Sequence, residues 1–244
     1  MANTTFSIFT SVGKMNEHLG AVILAGPDMS QQHYCSRAFF VTTLPSAKIS
    51  YLLVKQMYEV WGWRAAELYR NFLDYENNGA AEMIYTSSAH VNLPRGERLS
   101  LLRLRPNGHH HNLRMHGGTE LIHFPRAFSP SLGNYYVPIS PVNSTFDAFY
   151  VHTDRTVYVF RVTIRKSHNR ISATELDLLA DAVPEYVPWL PGNAKWRYVF
   201  VVTEKRVPRF RKQKIVVQKE VQARWKKNIR QYVIGFEPPF NDED

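Results

Sequence analysis

The sequence predicts a mixed α/β protein of the α+β kind, with a central mixed sheet flanked by helices. Three observations predict it. A stretch with helical apolar spacing runs over 46–77. Two dense runs of β-branched and aromatic residues occupy 146–164 and 196–203. A second helix signal separates those two runs. The resulting order of helix, strands, hairpin, helix and strand is that of a sheet covered by helices.

Residues 1–45 form an N-terminal extension in which only Phe39 to Thr42 reads as a short strand, before Pro45. The main domain spans 46–236, and an acidic tail follows over 237–244. Ser46 is placed as an N-cap ahead of a helix to Asn77. Leu52, Tyr58, Trp61, Ala65, Leu68 and Phe72 fall on one stripe, and Asn77-Asn78-Gly79 is the expected stop. Strands are expected at Ala81 to Tyr85, Leu99 to Leu104 and Glu120 to Phe124, with a turn at Asn107-Gly108. Between the last two lies GHHHNLRMHGG, carrying His109, His110, His111 and His116. Their spacing fits no standard zinc site and no cysteine pair accompanies them. A solvated turn is therefore the expected state and a metal site the alternative. Phe128 to Ser144, rich in Pro, Ser, Asn and Gly, reads as a long connection.

A hairpin is expected next: Phe146 to Val151, a turn at His152 to Arg155, and Thr156 to Ile164. Side chains alternate along a strand. Asp147, Phe149 and Val151 share one face, as do Val157, Val159, Arg161 and Thr163. Tyr158, Phe160, Val162 and Ile164 take the other. Both faces are mostly apolar, so the hairpin is expected at the centre of a doubly covered sheet. Asp147, Arg161 and Thr163 are then polar groups in a costly place, which pairing or function must offset.

Ser172 to Glu175 matches a capping box that opens a helix over Ala173 to Ala182, ended by Pro184, Pro188 and Pro191. Trp196 to Thr203 reads as a buried strand and Lys205 to Lys214 as an exposed basic segment. Ile215 to Val217 is a brief pairing segment. Val221, Trp225 and Ile229 mark a final basic helix, and Tyr232 to Phe236 a closing strand.

The chain of 244 residues is 44% hydrophobic, enough for a sizeable core. It has no apolar run long enough to span a membrane and no visible secretory signal. Cys35 is the single cysteine, which excludes an internal disulfide and suits a reducing compartment, nucleus or cytoplasm. The formal charge is +9. Between Lys205 and Arg230 eleven Lys and Arg stand against one acid, Glu220, so the basicity belongs to this segment. An anionic partner is expected there, nucleic acid first and an anionic membrane surface second. The phosphate contacts expected are Lys205, Arg206, Arg209, Arg211, Lys212, Lys214, Arg224, Lys226 and Lys227. Trp225, Phe210 and Tyr232 are candidates for stacking on bases, with core packing as the alternative and, for Trp225, the expected state.

Asp147 on one strand, with polar side chains at 161 and 163 on the next, resembles the PD-(D/E)xK nuclease superfamily. The fuller string, FDAFYV, then FRVT, then four residues and His168, resembles the nuclease-like domain of Crinkler effectors and retrotransposon hot spot proteins. The resemblance extends weakly from about Ser46 to about Phe236. It implies a restriction-endonuclease-like αβββαβ core, a site of Asp147, Arg161, Thr163, Lys166 and His168, and Mg²⁺ held by Asp147 if the site is active. It also implies a helix ahead of the sheet that directs a Glu at the metal. Tyr69-Arg70 stands at the matching place, with Glu67 nearby. No glycine-rich P-loop of an accompanying NTPase domain occurs in the chain.

The residues depart from that pattern where metal chemistry needs them. Mg²⁺ seeks carboxylate oxygens and water. Where the branch has Gln and the superfamily a second carboxylate, this chain has Arg161. A unit charge pair at 4 Å is worth roughly 4 kcal/mol at an effective dielectric of 20, and a divalent ion feels about twice that, here as repulsion. Arg161 is expected to form an ion pair with Asp147 across the strands instead. The leading expectation is a DNA- or RNA-binding protein on a nuclease-like fold, of the effector or transposon-related kind, with a lapsed site. The alternatives are an active Mg²⁺-dependent DNA endonuclease and a nuclear module that binds host or nuclear proteins.

Overall fold

The computed structural model describes residues 24–27, 40–43, 52, 54–56, 69, 79–95, 98–105, 107–116, 119–124, 130–139, 145–165, 170–182, 196–218 and 223–239. The chain divides into two compact units, Met1–Pro45 and Ser46–Asp244. The first contains an antiparallel pair, β1 (Leu24–Pro27) with β2 (Phe40–Thr43).

The second unit is built on one mixed sheet of eight strands. These are β3 (Arg98–Arg103), β4 (His110–Arg114), β5 (Leu121–Phe124), β6 (Tyr135–Pro138), β7 (Ala148–Val151), β8 (Val157–Val162), β10 (Trp196–Val202) and β12 (Ile229–Gly235). Their order is β4-β3-β12-β10-β8-β7-β6-β5. β8, β10 and β12 run parallel, while β7 pairs antiparallel with β8 and β3 with β12. A small parallel pair, β9 (Ile171–Ser172) with β11 (Ile215–Val216), lies apart from this sheet. The helices are α1 (Gly79–Asn92), α2 (Ala173–Ala182) and a short α3 (Arg224–Asn228).

The sheet has a core on each face, because alternate residues of its central strands are apolar on both sides. Ala148, Tyr150, Tyr158, Phe160, Val199, Val201 and Tyr232 pack with Ala81, Ile84, Tyr85 and Ala89 of α1. Phe149, Val151, Val157, Val159, Tyr198, Phe200 and Val233 pack with Leu176 and Leu179 of α2 and Trp225 of α3. The hairpin sits at the centre, every residue of β7 buried. Its turn has Arg155 at φ 66°, a left-handed residue that closes the loop.

Several elements differ from the sequence reading. Ala81 to Tyr85 is helix, part of α1, which starts at the Gly79 expected to stop one. Five residues, Ala-Glu-Met-Ile-Tyr, are ambiguous alone. Over the longer window Ala81, Ile84, Tyr85, Ser88 and Ala89 are all buried, at the i, i+3, i+4, i+7, i+8 spacing of a helix face. Of the expected helix over 46–77, residues 52, 54–56 and 69 are described, and they are helical. His110 and His111 lie on strand β4, paired with Leu102 and Leu101, and not in a turn. The long connection contains strand β6, whose Tyr135, Tyr136 and Val137 are buried between Pro- and Gly-containing flanks. The final helix stops at Asn228, so Ile229 opens β12. The capping box is half-formed: the Ser172 hydroxyl accepts from the Glu175 N–H at 3.4 Å, while Glu175 accepts from the Thr145 N–H at 2.8 Å.

Candidate functional site

Asp147 immediately precedes β7, and Arg161 lies near the end of β8. The Cα register pairs Ala148 with Phe160, so the two side chains meet across the ladder. Arg161 Nη1 donates to Asp147 Oδ1 at 2.9 Å, and the Val162 N–H donates to Asp147 Oδ2 at 2.7 Å. The pair is about four-fifths buried, with side-chain exposures of 22% and 21%. Burial raises the Asp147 carboxyl to about pH 6; Arg161 and the Val162 N–H oppose that rise, and the Glu82 carboxylate adds to it.

Glu82, in the first turn of α1, is the acid that sequence reasoning missed. Its Oε1 accepts from the Thr163 hydroxyl at 3.5 Å, and its Oε2 pairs with Arg165 Nε at 2.5 Å. Thr163 is 3% exposed and its Oγ1 also accepts from the Arg165 N–H at 3.0 Å. Reading Ala81 to Tyr85 as a strand hid Glu82 from the site. The available signal was the helical spacing of its apolar neighbours, which directs position 82 beside the buried stripe. Tyr69 is buried and stacks on Tyr85, with ring centroids 6.4 Å apart. Glu67, Arg70, Lys166 and His168 lie outside the described residues.

The structure thus brings Asp147, Arg161, Thr163, Glu82 and Arg165 to one end of the hairpin. It arranges them as two carboxylates, each held by an arginine. Both oxygens of Asp147 are engaged, one by a permanent cation. Among the described residues no third carboxylate or histidine joins them in a group able to hold a metal ion. This donor set does not fit Mg²⁺, which needs free carboxylate oxygens and repels a neighbouring guanidinium. What it can do is fix the hairpin end to α1 through charge-assisted hydrogen bonds.

The basic segment forms the second candidate region. After β10 the chain makes a 3₁₀ turn, Glu204–Arg209, runs to β11, and reaches α3 ahead of β12. Since Ile229 pairs in register with Trp196, the segment travels back along the whole length of β10. At about 3.3 Å per residue that is a strip of roughly 20 Å. Phe210 and Ile215 are buried beneath it. Between them Gln231 clamps the chain: its Oε1 accepts from the Gln213 N–H at 2.8 Å and its Nε2 donates to the Gln213 carbonyl at 2.8 Å. Lys205, Arg209, Arg211, Lys212, Lys214, Lys226 and Lys227 are exposed along this path. Arg206 is half-buried, and desolvation lowers its pKa.

Three assignments in this region change, those of Arg224, Phe210 and Tyr232, while Trp225 packs in the core as expected. Arg224 is half-buried and its Nη2 pairs with Asp177 Oδ1 at 2.7 Å, so it anchors α3 to α2. Trp225, Phe210 and Tyr232 are buried at 0%, 7% and 4% exposure and are core residues, not stacking platforms. Trp225 Nε1 donates to Asp177 Oδ1 at 2.8 Å, and its ring meets Trp196 edge-on at 5.1 Å.

No helix among the described residues is long and apolar enough to cross a membrane. Comparison of the chain with models of protein families, with curated proteins and with solved structures found no match.

Proposed function

We propose that this protein binds nucleic acid through phosphates on a nuclease-like scaffold of the PD-(D/E)xK kind, with its metal chemistry lapsed. One observation carries the reading: seven exposed lysines and arginines stand along a strip pinned at Phe210, Gln213 and Ile215. A strip of roughly 20 Å faces about six successive phosphates of one strand at 3.4 Å each. Pinning sets the cations in place before binding, which lowers the ordering cost. Contacts to phosphates position a duplex or single strand without reading its sequence.

The closed Asp147–Arg161 pair supports the lapsed state over the active endonuclease. The order α1, β6, β7, β8, α2, β10 is compatible with the nuclease-like core, and β3 to β5, β9, β11, α3 and β12 are then additions to it. The test is a plasmid-nicking assay with Mg²⁺ or Mn²⁺ beside a binding titration at two salt concentrations. Salt-sensitive binding without nicking is the expected result. Metal-dependent nicking abolished by Asp147→Ala would establish the endonuclease instead. Absence of both binding and nicking would leave the basic strip to a protein partner.

A further inference from the structure

A separate cationic cluster occupies the α1 face of the sheet, at the opposite end of β8 from Asp147. Tyr158, Arg197 and Arg230 are register partners on the parallel strands β8, β10 and β12. Their side chains therefore leave the sheet on one face. That face is the one covered by α1, since Tyr158 and Tyr232 belong to its core. Arg230 is exposed and points away from the strip that Gln231 clamps on the other side. Two arginines thus rise from adjacent strands about 4.8 Å apart.

His111 of β4 closes over them. A flat sheet would hold β4 three ladder spacings, about 14 Å, from β10. Yet His111 Nε2 accepts from Arg197 Nη1 and lies 3.1 Å from the Tyr158 hydroxyl, so the sheet curls and this face is concave. Arg197 Nη1 also donates to the Tyr158 hydroxyl at 2.8 Å, and its guanidinium stands 5.3 Å from the Tyr158 ring and 6.0 Å from the Tyr232 ring. Burial, reinforced by Arg197, lowers the His111 pKa, so the imidazole is a neutral acceptor and leaves the arginine charge uncompensated. Among the described residues no carboxylate pairs with Arg197, and its buried Nε–H has no acceptor. Asp154, in the hairpin turn, is 55% exposed and paired with His152 at 2.8 Å.

A partly buried guanidinium without a counter-charge is costly, and an arriving oxyanion removes the cost. A carboxylate offers two oxygens, enough for one arginine fork. A phosphate offers more, and can satisfy two guanidinium groups together. We propose that the concave face binds a single phosphate group between Arg197 and Arg230, with His111 and Tyr158 holding Arg197 in place. The pocket stands independently of the basic strip; only a nucleic-acid source for its phosphate rests on the reading above.

Calorimetric titration with inorganic phosphate at constant ionic strength tests it on wild type, Arg230→Gln and Arg197→Met. Wild type is expected to bind, and Arg230→Gln, an exposed change that leaves the core intact, to bind about tenfold more weakly. Arg197→Met is expected to abolish binding. Equal affinity in wild type and Arg230→Gln, or an equal response to chloride, overturns the pocket. A second titration compares 5′-phosphorylated and 5′-hydroxyl oligonucleotides of one sequence. A preference for the phosphorylated end that Arg230→Gln removes identifies a terminal phosphate. Equal affinities that inorganic phosphate and Arg230→Gln both reduce identify a backbone phosphate. Oligonucleotide binding untouched by either overturns a nucleic-acid source for the pocket's phosphate and leaves the strip standing. Phosphate binding that Arg230→Gln weakens, with no oligonucleotide binding at all, supports the pocket and refutes the nucleic-acid reading.

Discussion

Two buried titratable residues pull stability in opposite directions with pH. His90 is 4% exposed, its Nδ1 2.9 Å from the Tyr135 hydroxyl, and burial, with a smaller contribution from His123, lowers its pKa to about 3. Below its unfolded value near 6.5 the unfolded chain takes up a proton that the native state refuses, so stability falls as pH falls. Asp147, raised to about 6, does the reverse. Between pH 6 and about 4 the native state holds a proton that the unfolded chain has lost, so stability rises as pH falls. Each contributes a slope of up to about 1.4 kcal/mol per pH unit, and the two nearly cancel over pH 4 to 6. Urea unfolding across that range should therefore separate them. His90→Gln should unmask increasing stability toward acid, and Asp147→Asn should steepen the loss. Parallel profiles for all three proteins would contradict both assignments. The Asp147–Arg161 pairing was legible from strand parity alone, because positions 147 and 161 share a face. Glu82 was not, because its helix was hidden in a five-residue window.

Elements whose pattern repeats over enough residues were the readable ones. The hairpin and β10 alternate through both faces, and the capping-box motif starts α2 at Ala173. Strands β4 and β6 were not legible. β4 is mostly polar, His-His-Asn-Leu-Arg, with the apolar Leu113 alone buried, and β6 is four residues long among turn formers. Their pairing comes from neighbours in space, which sequence-local patterns do not carry. The short α3 is a further case. Five residues are too few for an independent helix, so Trp225 holds it by filling the α2 side of the core. Trp225→Ala should cost about 3–5 kcal/mol in chemical denaturation. A surface stacking residue would instead lose oligonucleotide affinity with stability unchanged, so the two measurements together decide its role.

At the scale of the whole molecule, charge is partitioned between segments and not spread over the surface. The strip carries most of it, which makes association strongly dependent on salt. Replacing Arg209, Arg211 and Lys212 together with Gln should reduce the slope of log K against log salt by about 2 to 3, at roughly 0.7–0.9 per phosphate contact. An unchanged slope would move the binding surface elsewhere. All three residues are exposed, so the variant should keep the wild-type unfolding midpoint.

The sheet order has a consequence in time. β12 lies between β3 and β10, and its partner on one side, β3, was synthesised about a hundred and thirty residues earlier. During translation β3 and β4 emerge as a hairpin with nothing to join, and β10 waits with one open edge. The sheet cannot close until Ile229–Gly235 has left the ribosome. Late closure of distant strands is slow and leaves edges open to wrong partners. The lysines and arginines that precede β12 repel other copies of the chain during that interval. The same charges that suit a polyanion therefore guard the nascent protein while its last strand is still missing.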